Sequence, residues 1–239
     1  MRIVIASPPK CGNHWIKCLL GEVYGLRWLE GEDKSRLTAD TLPGIVAGGG
    51  FPDGSIVHIH NRFTPALCDA IAAVPAHLVT IVRDPYDVFS SLYHWQQERS
   101  DRGLGNTKQR PRHAMLGKDF NDPAVLAFLA EGFSANIEQA NGWLHSGRAI
   151  VVRYEDLHRD GAAALMQVCA AIEPVSAERV AAAVESCRAD RMRERNEKMQ
   201  WHVRSATVGG SRQELTAEHL RIFREVHAAG IRSLGYPVR

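Results

Sequence analysis

RIVIASPPKCGNHWIKCLLGEVY, residues Arg2 to Tyr24, is the stretch whose reading decides the fold. Arg2 to Ala6 is a short apolar run of the kind that forms a buried strand, and Trp15, Ile16, Leu19, Leu20 and Val23 recur at helical spacing. Between them stand Pro8 and Pro9, which cannot continue a strand ladder, then Lys10, Gly12 and Asn13. The spacing predicts a strand, a tight loop and a helix beginning near His14 with Asn13 as its N-cap. Gly12 lets the backbone approach a ligand closely, and the N–H groups of the helix start, with Lys10 beside them, make an anion site.

Working outward, SIVHIH (55–60), HLVTIV (77–82) and AIVVR (149–153) read as three more strands, the second a continuous apolar run of the type buried on both faces of a parallel sheet. Helices are expected from Thr64, as cap, through Ala73; from Asp84-Pro85 with an inner stripe of Val88, Phe89, Leu92 and Trp95; from Pro123 to about His145; and from Tyr154 to about Ile172. Two more fill 176–198, and a last one runs from Thr216 to near Gly230. The segment 27–51 shows no clean period and reads as a connection, 96–122 reads as a long loop of the kind that serves as a lid or binding loop, and 200–213 is loop-like. Strands alternating with helices predict an α/β fold, a central parallel sheet flanked by helices on both faces through right-handed crossovers.

With 239 residues, 45% hydrophobic and 23% charged, the chain is expected to form one domain over 1–239. A net charge of +2 is too mild to argue for nucleic acid. No apolar run is long enough to cross a bilayer and no signal-peptide pattern opens the chain, so no membrane partner and a cytoplasmic location are expected. Five cysteines, at 11, 18, 68, 169 and 187, are odd in number and widely scattered, so reduced thiols are the expectation and no zinc site is. Oligomeric state is left open, a homodimer included.

In open α/β sheets ligands bind beyond the carboxyl ends of the strands. There fall Lys10, His58 and His60 (whose side chains, at i and i+2, leave one face), Arg83 and Tyr154. A Lys and an Arg at two strand ends, joined by a helix N-terminus, suit a ligand with two separated anionic groups. The loop is not a Walker A, because Lys10 precedes Gly12 and no Ser or Thr follows it to hold magnesium.

The order instead resembles the cofactor loop of sulfotransferases that use 3'-phosphoadenosine 5'-phosphosulfate (PAPS), some form of YPKSGTTW: Pro9 to Trp15 keeps the Pro, Lys, Gly and Trp. Further landmarks in the same order are Arg83-Asp84-Pro85-Tyr86-Asp87 with Ser91, Tyr93 and His94, then Tyr154 to Leu157, then Arg204 to Gly209, Leu215-Thr216 and Leu234-Gly235-Tyr236. The resemblance implies a P-loop-like sulfotransferase architecture and an enzyme with PAPS as co-substrate, adenosine 3',5'-bisphosphate (PAP) as product and no metal. It implies that Lys10 stabilises charge on the bridging oxygen, that the backbone of Cys11, Gly12, Asn13 and His14 cradles the 5'-phosphate, and that Trp15 and Tyr154 face adenine. Arg83, Ser91 and Arg204 would hold the 3'-phosphate, Ser91 coupling it to Lys10, and His60 would be the general base.

Several positions depart from the pattern: His58 stands where a Lys is frequent, Cys11 replaces Ser, Asn13-His14 replaces a Thr pair, Ser205-Ala206 replaces Lys-Gly, and Ala189 cannot stack on a purine. Other readings of single residues stay open. Trp15 and Tyr154 could simply pack, His58 and His60 could pair on a metal, Cys11 beside a helix start could be a reactive thiol, and Glu155 and Asp156 suit structural acids at a helix start. The acceptor is expected to be a small molecule with a hydroxyl or amine. The rivals are an ATP- and magnesium-dependent P-loop-like kinase and a non-catalytic nucleotide- or anion-binding module.

Overall fold

The computed structural model of the chain describes residues 1–29, 37–104, 110–195, 199–200, 203 and 205–239. Five strands, β1 (Arg2–Ala6), β2 (Arg27–Trp28), β3 (Ser55–Ile59), β4 (Ala76–Val82) and β5 (Ile150–Arg153), form one sheet in the order β2-β3-β1-β4-β5. Every pairing is parallel, with Ala6 opposite Ile59 and Val82 opposite Arg153 in register. The connection after β1 leads toward β2 and β3, and the one after β4 leads toward β5 on the other side. The crevice beyond the carboxyl ends of β1 and β4 is therefore the topological switch point of the sheet.

Alternation along β1 divides the core. Ile3 and Ile5 are buried on one face with α1 (Asn13–Tyr24), α4 (Pro85–Asp101), α8 (Gly161–Ile172) and α9 (Ala177–Ser186). Val4 and Ala6 are buried on the other with Leu67 and Ile71 of α3 (Pro65–Ala73) and Trp143 of α6 (Ser134–Leu144). Helix α1 carries the stripe read from the sequence: Ile16, Leu19, Leu20 and Val23 are all 0% exposed, and each contributes roughly 1.5–3 kcal/mol by leaving water. Thr64 caps α3 by accepting from the Leu67 N–H at 3.1 Å, and Asp84 caps α4 by accepting from Tyr86 at 2.9 Å.

Local expectations are corrected at several points. The stretch 27–51 includes the edge strand β2 and a short helix, α2 (Leu42–Ala47). The supposed loop 96–122 begins as helix, since α4 continues to Asp101, and Pro111–Met115 forms a 3₁₀ turn whose Met115 is fully buried. From Pro123 the chain is helical in three pieces, α5 (Pro123–Ala127), a π turn and α6. The helix expected from Tyr154 to Ile172 breaks at Asp160 into α7 (Tyr154–Arg159) and α8, because Asp160 turns extended and accepts from Ala163 N–H as a new N-cap. Helix α10 (Ala189–Glu194) follows α9, and the last helix divides at His227 into α11 (Ala217–Val226) and α12 (Ala228–Ser233).

The cysteine reading is also corrected. Cys18 on α1 and Cys187, just after α9, form a disulfide, leaving Cys11, Cys68 and Cys169 as buried thiols. The bonded pair is 169 residues apart in sequence, so spacing held no sign of it; the packing of α9 on α1 brings the two together.

Candidate active site

The loop after β1 is held from several directions. Asn13 is not the N-cap: Gly12 is, with φ 104°, and Asn13 is the first helical residue, its side chain turned back into the loop. There it accepts from the Ser7 hydroxyl and donates to the Pro8 carbonyl at 2.9 Å. Gly12 is required twice over, by its left-handed φ and because a Cβ would lie 2.7 Å from Cδ2 of Tyr154. Lys10 also has positive φ, at 70°, a conformation that costs an L-residue on the order of 1 kcal/mol and recurs at functional sites. The Gly12 carbonyl accepts from Trp15 and Ile16, so the N–H groups of Asn13 and His14 precede any intrahelical acceptor. Cys11 is 2% exposed, and burial pushes its thiol up to about 12 against the opposing pull of Arg83. A thiol so buried and so raised does not suit a reactive nucleophile, which leaves the backbone at this position to face a ligand.

At the end of β3, His58 is buried and His60 exposed, with ring centroids 5.3 Å apart; His14 reaches His58 at 4.8 Å. His60 Nδ1 lies 2.8 Å from the Ser7 carbonyl, which can only accept. Nδ1 therefore carries the proton, and in the neutral ring Nε2 carries the lone pair. Among the described residues, the one convergent group of three metal-ligating side chains is Cys18, Glu22 and Cys187, two of which are already bonded to each other. The three histidines do not converge in that way.

Arg83, beyond β4, donates to the carbonyls of Lys10 at 3.2 Å and Thr207 at 3.0 Å, and lies 4.2 Å over the Tyr154 ring. Its Nε is buried without a hydrogen-bond partner and so has bonding capacity to spare. The loop at 205–211 is pinned on the other side as well: His158 Nε2 lies 2.7 Å from the Ala206 carbonyl, and the buried Asp87 carboxylate accepts from the N–H groups of Gly209 and Ser211. Arg204 lies outside the described residues. Trp15 meets the Tyr154 ring edge-on at 5.4 Å, and Tyr154 is 4% exposed, its hydroxyl pKa raised chiefly by burial. Glu155 has the structural role its position suggested, accepting from Asp84 N–H and from the Tyr236 hydroxyl.

These residues line one cavity of about 900 Å³, at the upper end of the range for small-molecule sites. Lys10, Gly12, Asn13, His14, Trp15, His58, His60, Arg83, Ser91 and Tyr154 all reach it, as do Ser205 and Ala206. Cations dominate its lining, Lys10, Arg83, Arg112 and Arg188 against Asp190. The far wall is the segment bearing Cys187 and Ala189, so the disulfide joins that wall to the helix that carries Trp15.

Among the lining residues that escaped the sequence reading, three bear on the chemistry. Trp95 was expected in the inner stripe of α4, yet it is partly exposed at the cavity, and Arg112 and His158 were unremarked. Trp95 carried a signal, an indole at the polar end of an otherwise apolar stripe; Arg112 had none, because the fold of its loop determines where it points.

The sulfotransferase domain family matches residues 1–235. A sequence comparison with curated proteins finds no match. Among solved structures, the chain is similar to mouse sulfotransferase SULT7A1 complexed with PAP (TM-score 0.72, 16% identity, covering 97% of this chain and 84% of that one). It is also similar to retinol dehydratase in complex with androsterone and inactive cofactor PAP (TM-score 0.66, 14% identity, 100% of this chain and 82% of that one). At such identities the structural likeness is one of fold.

Proposed function

Because this chain belongs to the sulfotransferase domain family, we propose that it moves the sulfuryl group of PAPS to a hydroxyl or amine of a small-molecule acceptor by in-line displacement. The observation that carries the reading is the meeting at the switch point of the Lys10 loop, the start of α1 and Arg83, all facing one cavity with His60. Bound PAPS supplies an activated sulfuryl group whose leaving group is PAP.

His60 accepts the acceptor's proton at Nε2, the ring being held in the needed tautomer by the Ser7 carbonyl. The acceptor oxygen forms its bond to sulfur as the bond from sulfur to the bridging phosphate oxygen breaks. Lys10 and the first-turn N–H groups of α1 offset the charge that grows on that oxygen. The backbone of Cys11 to His14 holds the 5'-phosphate and Arg83, with Ser91 and Arg204, the 3'-phosphate; the buried Arg83 Nε fits that role as an unsatisfied donor. Gly12 fits it too, since a Cβ there would collide with the Tyr154 ring and displace the loop that forms the cradle. Trp15 and Tyr154 form the purine end, while His58 is a buried spacer between His14 and His60 rather than a second cation at the reacting group.

No helix among the described residues is long and apolar enough to cross a membrane. The direct test is a sulfur-labelled PAPS transfer screen over phenols, alcohols, amines and sugars, with and without EDTA, beside an ATP and magnesium arm. Label transfer that survives EDTA is expected. Phosphoryl transfer restored by magnesium, with no sulfuryl transfer, would replace this reading by the kinase.

A further inference from the structure

Three cations gather round one indole, that of Trp95, which lines the cavity together with Lys10 and Arg112. The Trp95 ring has Lys10 Nζ at 5.8 Å, the Arg99 guanidinium at 5.3 Å and the Arg112 guanidinium at 5.3 Å from its centroid. Cation–π attraction explains why they settle there but does not neutralise them. Among the described residues no carboxylate lies within ion-pair distance of Arg99 or Arg112; the neighbouring acid, Glu98, is taken by Arg102 at 2.6 Å. Nε of Arg99 and Nε of Arg112 are both buried with no hydrogen-bond partner, although Arg99 Nη2 donates to the Leu104 carbonyl at 3.2 Å. Arg112 is desolvated enough that its pKa falls to about 10, first by burial and then by repulsion from Arg110 and Arg99. Two partly buried guanidinium groups with no carboxylate in reach among the described residues make this a corner where an anion is favoured.

The corner is also built to hold its shape. Gln96, fully buried on α4, donates to the Arg112 carbonyl at 3.0 Å; Gln97 donates to the Met115 carbonyl at 2.7 Å, and the Tyr93 hydroxyl to the Lys118 carbonyl at 2.8 Å. Met115, fully buried, anchors the same turn in the core. Three side chains of one helix thus clamp the main chain on which Arg112 stands, and its guanidinium reaches the cavity that Lys10 and His60 share. Such preorganisation suits recognition of a ligand group rather than solvation of a surface charge.

We propose that Arg112, lining the cavity beside Trp95, anchors an anionic group on the acceptor, with Arg99 adding only its charge, so that this enzyme sulfates hydroxyl compounds that already carry a carboxylate or a sulfate. The inference rests on the sulfotransferase reading and adds the acceptor class to it. A bidentate guanidinium contact to a carboxylate, released when the charge is masked, predicts a preference of about ten- to a hundredfold for the charged acceptor.

The test compares matched pairs, each a hydroxy carboxylate and its methyl ester: para-hydroxyphenylpropionate, a hydroxy fatty acid and a uronic acid glycoside. Turnover and calorimetric binding are both measured, for wild type, Arg112→Gln and Arg112→Lys, with PAP affinity and thermal melting alongside. An acid-to-ester ratio of kcat/KM or of affinity of about ten or more in wild type is expected. It should collapse toward one in Arg112→Gln and recover in part in Arg112→Lys. Ratios near one across all pairs in wild type overturn the proposal, as does an Arg112→Gln protein that loses PAP affinity as much as acid affinity, which would assign Arg112 to the nucleotide. If wild type binds no PAP, the sulfotransferase reading falls instead, while the calorimetric ratio still reads the anion corner by itself.

Discussion

The Arg83 guanidinium donates to the main-chain carbonyl of Lys10 at 3.2 Å, so the residue beyond β4 holds the strained lysine beyond β1 in place. Because Arg83 is also proposed to hold the 3'-phosphate, Arg83→Ala should weaken PAP by about ten- to a hundredfold, while adenosine 5'-monophosphate, which lacks that group, weakens much less. Calorimetric titration with both nucleotides distinguishes the cases. An equal loss for the two would assign Arg83 to the loop alone and not to the 3'-phosphate.

Gly12→Ala places a methyl 2.7 Å from the Tyr154 ring and forces an L-residue to φ 104°. A stability loss of roughly 1–3 kcal/mol is expected, with PAP affinity falling alongside as the loop shifts. Urea unfolding reads the first and calorimetry the second. A Gly12→Ala protein as stable and as tightly bound as wild type would contradict the described seating of the loop on Tyr154.

The Cys18–Cys187 disulfide predicts three titratable thiols in denatured, unreduced protein, with the remaining two appearing only after reduction. Closing a loop of 169 residues constrains the unfolded chain by up to about 5 kcal/mol, so Cys187→Ser should lower Tm by several degrees. Because Cys187 also lines the cavity, PAP should protect the oxidised protein more than the reduced one. Five thiols before reduction would remove the bond.

Burial depresses the pKa of His219 and of His227 below the ordinary 6.5. His227 Nε2 lies 2.7 Å from the Leu129 carbonyl and His219 Nε2 lies 3.1 Å from that of Phe120, so each ring donates there while neutral. Below 6.5 the unfolded chain takes protons that these folded rings refuse. Stability is then complete above that pH and lost as pH falls through it, by at most about 1.4 kcal/mol per pH unit for each ring. Asp84 acts oppositely, since burial raises its carboxyl above 3.8, and the slope is best isolated by difference. Urea melts between pH 7 and 5.5 should show a flatter decline for His227→Gln than for wild type; identical slopes would count against a neutral buried His227.

The parallel sheet and the placing of Lys10, His60, Arg83 and Tyr154 around its switch point were legible because strand ends are where apolar runs stop and polar residues begin. Asn13 misled as a cap because the preceding residue is a glycine whose left-handed backbone can take the cap position, freeing the Asn side chain to brace the loop through Ser7 and Pro8. The disulfide was hidden because helix packing over a long sequence separation, not spacing, joins Cys18 to Cys187. Arg112 was hidden for a related reason. Its loop has no period, and its position depends on buried Gln96, whose polarity on α4 resembles that of a solvent-facing residue until its partner carbonyl is seen.

The most direct measurement is sulfuryl transfer from labelled PAPS by His60→Ala beside wild type, with PAP affinity determined on the same preparations. Loss of a general base predicts a fall in kcat of about a hundredfold or more with PAP affinity nearly unchanged. Near-normal transfer by His60→Ala would contradict the assignment of the acceptor's proton to His60.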